Sequence, residues 1–87
     1  MKFTVIYRPS AENQLIDLWT QGPDRQEITR AADEFEVRLR KDPQNEGESR
    51  SETTRILFIH PLAVLFEVSE PDCMVFVLKI WRINLPN

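Results

Sequence analysis

The sequence predicts an α+β domain, with an N-terminal strand leading into an antiparallel helical hairpin and then a three-stranded antiparallel meander. Three observations carry the prediction. Residues 2–7 alternate with a period of two. Two apolar stripes at helical spacing follow, with only a few residues between them, so they pack against each other as a hairpin. Three strand-like runs separated by turn residues then fill the second half. Laying the hairpin on one face of the sheet buries both stripes at once.

In the first run Phe3, Val5 and Tyr7 share one side, and Lys2, Thr4 and Ile6 the other. Arg8-Pro9 ends it, because proline has no N–H to give to a ladder. Ser10 stands where an N-cap belongs, and Ala11, Leu15, Leu18 and Trp19 form the stripe of the first helix. Gly22 is expected to close that helix as a left-handed residue, with Pro23 preventing continuation. Asp24 and Glu27 have capping-box spacing for a second helix, whose stripe is Ile28, Ala31, Ala32, Phe35 and Leu39. Arg38, Arg40 and Lys41 complement its C-terminal dipole, and Asp42-Pro43 stops it. Residues 44–53 are polar and read as an exposed loop. Strands are expected at 54–60, 62–69 and 74–82. In the second of these, Leu62, Val64, Phe66 and Val68 alternate with Ala63, Leu65, Glu67 and Ser69. In the third, Met74, Phe76, Leu78 and Ile80 alternate with Val75, Val77, Lys79 and Trp81. The turns at His60-Pro61 and Glu70-Pro71-Asp72 are short enough to force antiparallel pairing.

The 87 residues suffice for one domain spanning 1–87. Such a chain buries roughly 60–70% of its unfolded surface, which leaves little room for a deep substrate cavity. With 29% charged residues and a mean hydropathy of -0.39 it reads as globular. No apolar run is long enough to cross a bilayer, so no membrane partner is expected. Met1-Lys2-Phe3-Thr4 has no signal-peptide pattern, and the single Cys73 excludes an intrachain disulfide; the cytoplasm is the expected compartment. Net charge is -3. Residues 1–49 hold seven Lys/Arg against ten Asp/Glu, whereas 50–87 hold four of each. A nucleic-acid binder usually shows a basic face, and charge alone indicates none here.

The residues of a self-sufficient active site are also missing. One His and one Cys cannot supply the ligands zinc needs, so no metal is expected, and no glycine-rich phosphate loop points to a cofactor. His60 ends a strand beside Pro61, where a turn role is the ordinary one. Cys73 neighbours Asp72, an anion, and not the cation that would activate a thiolate. Trp19 and Trp81 read first as packing residues. Arg50, Arg55, Lys79 and Arg82 are the only cations after the second helix. They are the candidate residues for binding a partner's carboxylates or phosphates, most simply an extended segment added to a sheet edge.

The order of elements, the Asp42-Pro43 helix ending, and Gly47-Glu48-Ser49-Arg50 leading into Arg55-Ile56-Leu57-Phe58 resemble the RelE/ParE toxin family. The run from Pro61 to Val68 followed by Val75-Phe76-Val77-Leu78 is similar to that family's hairpin, so the resemblance covers nearly the whole chain. It implies the toxin of a type II toxin–antitoxin (plasmid stabilisation) system. A cognate antitoxin with an extended tail would silence it, and operator DNA would be reached only through that antitoxin. The family's ribosome-dependent ribonucleases cut mRNA with a cluster of Lys and Arg on the sheet, often with a C-terminal Tyr or His. Arg55 and Arg82 fall near two of those basic positions and are the catalytic candidates if the chain is a nuclease. Ala63 occupies a third, and Ile83-Asn84-Leu85-Pro86-Asn87 contains neither Tyr nor His. The ParE branch, which inhibits DNA gyrase by binding, needs no such cluster and fits better. Three readings stay open: a ParE-like binder, a RelE-type ribonuclease with a degenerate site, and a non-toxic relative that only pairs with its antitoxin.

Overall fold

A computed structural model describes residues 2–83. The chain runs β1 (Thr4–Tyr7), α1 (Pro9–Gln21), α2 (Arg25–Lys41), a short 3-10 turn (Pro43–Asn45), β2 (Glu48–Ser49), β3 (Thr54–Ile59), β4 (Leu62–Ser69) and β5 (Met74–Arg82). One sheet in the order β1-β5-β4-β3-β2 holds all five strands. β3, β4 and β5 form the expected antiparallel meander. β1 lies parallel to β5 at one edge, and β2 closes the other.

Period-two patterning places Leu57 and Ile59, Leu62, Val64, Phe66 and Val68, and Val75 and Val77 on the side facing the helices. There they meet Ala11 of α1 and Ile28, Ala31, Phe35 and Leu39 of α2 in one continuous buried cluster. Leu15 and Leu18 pack against its margin. At roughly 25 cal/mol per Å2 of apolar area, this burial is the main favourable term in folding.

Local chemistry departs from the sequence reading at five points. α1 begins at Pro9 with Arg8 as N-cap, not Ser10, because proline at the first helical position already has the required φ and lacks only an N–H that would be orphaned anyway. Gly22 is extended, with φ -102 and ψ 159, not left-handed. A Cβ there would lie 2.6 Å from the Arg82 guanidinium and 2.7 Å from the Asp24 carboxylate, both tips of side chains that can shift. Asp24 is the N-cap of α2 but makes no side-chain capping bond, since its carboxylate is taken by Arg82. Residues 44–53 are not wholly loop. Gly47 adopts φ +69, which turns the chain so that Glu48 and Ser49 pair with Ile56 and Arg55.

The fifth departure reshapes β5. Leu65 lies opposite Lys79 and Phe66 opposite Val77, so Leu78 is an extra residue in a bulge. Alternation therefore restarts: Val75, Val77, Ile80 and Arg82 face the helices, whereas Phe76, Lys79 and Trp81 face away. Lys79 thus does not share a face with Val75 and Val77. Beyond the end of β1, the Ile80 N–H donates to Gln14 Oε1 of α1 at 2.9 Å. Trp19 also leaves the core stripe: it is 42% exposed.

Candidate functional site

The four candidate cations occupy different surroundings. Arg55 faces the helix side of β3, opposite Phe66. Its Nε donates to the Glu46 carbonyl at 2.7 Å and its Nη2 to the Gly47 carbonyl at 2.9 Å, so it staples the preceding loop to the sheet. Arg82 also faces the helices. Its guanidinium grips Asp24 through both Nη atoms, with Nη2 to Oδ1 at 3.0 Å. This fork joins the last strand to the start of α2. The hydrogen bond from Arg82 is the first cause holding the Asp24 carboxyl below the usual carboxylate range. The same bond raises the Arg82 guanidinium above its ordinary value. Arg50 is exposed in the turn between β2 and β3, with a Glu48 oxygen 3.9 Å away. Lys79 alone points from the open side of the sheet. Arg55 and Arg82 share a side but sit on β3 and β5 with β4 between them. These four therefore do not converge on one cluster, and residues 84–87 lie outside the described residues.

The open side has a different chemistry from the cationic surface that a phosphate would need. Cross-strand register organises it into rows. Phe58 of β3, Ala63 of β4 and Trp81 of β5 make one row. Ile56, Leu65 and Lys79 make the next, and Thr54, Glu67 and Phe76 the third, with Ile6 of β1 beside Phe76. Ala63 is 0% exposed although no helix covers it, shielded by aromatic neighbours that are themselves 47% (Phe58) and 37% (Trp81) exposed. A large apolar surface of this kind, with aromatic anchors, suits a protein partner. Phe58, Leu65 and Phe76 are not among the four sequence candidates for the site. The signal was present: Ile56 to Ile59 is apolar in both registers, as a strand with two covered faces would be.

No protein-family model matches the chain, and no curated protein matches it either. Solved structures do. A toxin–antitoxin complex, RelBE2 of Mycobacterium tuberculosis, contains a chain that superposes with a TM-score of 0.73 at 22% identity, covering 94% of this chain and 99% of that one. The chromosomal ParDE system of P. aeruginosa gives a TM-score of 0.63 at 16% identity, with coverage of 95% and 98%. The isolated E. coli RelE toxin gives 0.62 at 13% identity, with coverage of 98% and 88%. These likenesses span both branches of one fold and nearly the full length of each chain. The strand, the helical hairpin and the largely antiparallel sheet of this chain make up the RelE/ParE-like toxin fold.

Proposed function

We propose that the chain is the toxin of a type II toxin–antitoxin pair, silenced by a cognate antitoxin, and that it acts by binding a protein target, as the ParE branch does. The observation that carries this reading is the open sheet face, where Phe58, Trp81, Ile56, Leu65 and Phe76 make a largely apolar surface with Lys79 among them and Glu67 and Thr54 at one margin. Cutting RNA requires preorganised positive charge at the scissile phosphate and a group to move the proton. Arg55 and Arg82 are engaged with loop carbonyls and with Asp24 on the other side of the sheet. Ala63 has nothing to offer a phosphate. An apolar patch bearing Lys79, with the Arg8 guanidinium 5.3 Å from the Phe76 ring centroid at its edge, supports a protein contact whose core is dry and whose charge sets orientation. Arg50 and Lys79, both exposed, are the cations best placed to meet carboxylates of an antitoxin tail.

On this reading DNA gyrase in the cytoplasm is the target, the ribosome is not, and operator DNA is reached only through the antitoxin. Inducible expression, with and without the product of the adjacent reading frame, tests it together with a gyrase supercoiling assay. Growth arrest relieved by coexpression is expected, with supercoiling inhibited by the purified chain. Phe58→Glu and Trp81→Glu should abolish inhibition while circular dichroism stays native. Full gyrase activity in the presence of saturating protein would sink the gyrase assignment, and normal growth would sink the toxin reading.

A further inference from the structure

The outer face of the helical hairpin presents a second apolar surface, remote from the open side of the sheet. Between α1 and α2 runs a groove of about 390 Å3, floored by Leu15, Ile28 and Ala32 and walled by Ile16 and Trp19. Ile16 is 50% exposed. Trp19 is already held in place: its Nε1 donates to Thr29 Oγ1 at 3.0 Å, and the Arg25 guanidinium lies 4.9 Å from its ring centroid. An aromatic anchor fixed in this way loses little freedom on association.

The groove is polarised along its length. At the hairpin-turn end it is bordered by Arg25 and Arg30, with Asp33 at the inner limit of that end. At the other end it is bordered by Glu12 and Glu36, the latter also bonded by Tyr7 and Arg40. Arg25 and Glu36 are separated along α2 by about 16 Å at helical rise. From this pattern we propose that the hairpin face is a homodimer interface, on which a second copy of the chain packs antiparallel about a two-fold axis through the groove.

The charge pattern selects the occupant. A two-fold interface must be complementary to itself. Reversing the groove by a two-fold axis lays each cationic end on the acidic end of the other copy, with Ile16 and Trp19 of both copies between them. A parallel arrangement would set Arg25 and Arg30 against their own counterparts and is excluded by like-charge repulsion. The acidic rim also disfavours nucleic acid and anionic membrane. Two helices side by side present a face roughly 20 Å by 25 Å. That is at the small end of stable interfaces, so dissociation on the order of micromolar is expected. The dimer does not depend on the proposed toxin activity.

Sedimentation equilibrium across a wide concentration range tests the proposal, starting from the 10.3 kDa monomer. The parent chain should reach twice that mass and dissociate more readily at high salt. Ile16→Glu should remain monomeric with a native circular dichroism spectrum. The pair Arg25→Glu and Arg30→Glu should weaken the homodimer by about tenfold or more. So should Glu12→Arg. Mixed together, the two charge-reversed proteins restore both contacts and should form a 1:1 heterodimer. A parent chain that is monomeric throughout overturns the proposal and leaves the groove to a different protein. So does a dimer indifferent to these substitutions, or a mixture that fails to associate.

Discussion

Replacing Gly47 by alanine should be among the most damaging small changes in this chain, and the reason can be worked from the backbone. Gly47 has φ +69, where an L-residue costs roughly 1–2 kcal/mol. An added Cβ would also sit 2.1 Å from the Ile56 carbonyl oxygen and 2.8 Å from its carbon. These are main-chain atoms of β3 and cannot swing aside. Moving them strains the β2–β3 pairing and the Arg55 bonds to Glu46 and Gly47. Forced backbone shifts of this kind add about 1–3 kcal/mol, for a total of roughly 2–5 kcal/mol. A domain of this size has only about 4–13 kcal/mol to lose. Gly22→Ala is the control. Its backbone suits any residue, and the atoms a Cβ would meet are the tips of the Arg82 and Asp24 side chains. The entropic benefit of alanine, roughly 0.4–1 kcal/mol, offsets the disturbed ion pair and keeps the change within about 1 kcal/mol of neutral. Urea titration of both variants measures the difference as a shift in midpoint at constant slope. A Gly47→Ala protein as stable as the parent, or a Gly22→Ala protein equally damaged, would refute the reasoning.

Phe35, 3% exposed in the centre of the cluster, should cost about 3–5 kcal/mol when truncated to alanine, read as a lowered urea midpoint. Tyr7 has its hydroxyl raised above its ordinary range, first by burial and then by Glu36, to which it donates at 3.2 Å. A folded value above the unfolded one means the contribution is complete below pH 10 and is lost as pH rises beyond it. Stability should therefore fall in strong alkali, and Tyr7→Phe should flatten that limb. Asp24 has the opposite sign. Its folded value lies below 3.8, so its contribution is present above that pH and fades as pH falls through the depressed value. Asp24→Asn should lower midpoint stability at neutral pH and remove part of the acid limb.

Much of the fold was legible in residue spacing. The stripes Ile28, Ala31, Phe35 and Leu39, and Leu62, Val64, Phe66 and Val68, specify a hairpin on a meander, and the structure buries both against each other. What the sequence could not show depends on partners far along the chain. Gly22 lies against the tip of Arg82, a contact across the whole hairpin and sheet. Asp24 gives up its capping role to the same arginine, whose partner is 58 positions away. The bulge at Leu78 inverts the faces of Lys79 and Ile80, and one extra apolar residue inside an apolar run leaves no mark in the pattern. The same slip limited the reading of the site. Four cations in the second half suggested one surface, whereas register sends Arg55 and Arg82 to one side and Lys79 to the other. The apolar character of the open face is visible in Ile56 to Ile59, but there it looks the same as strand propensity.

The proposed function has this sheet face binding protein instead of cleaving RNA. Primer extension on message translated by programmed ribosomes, with and without the purified chain, tests that claim most directly. No new stops within the ribosomal A site are predicted, at any protein concentration that inhibits growth when expressed. Reproducible A-site cuts abolished by Arg55→Ala or Arg82→Ala, in variants that keep native circular dichroism, would contradict it.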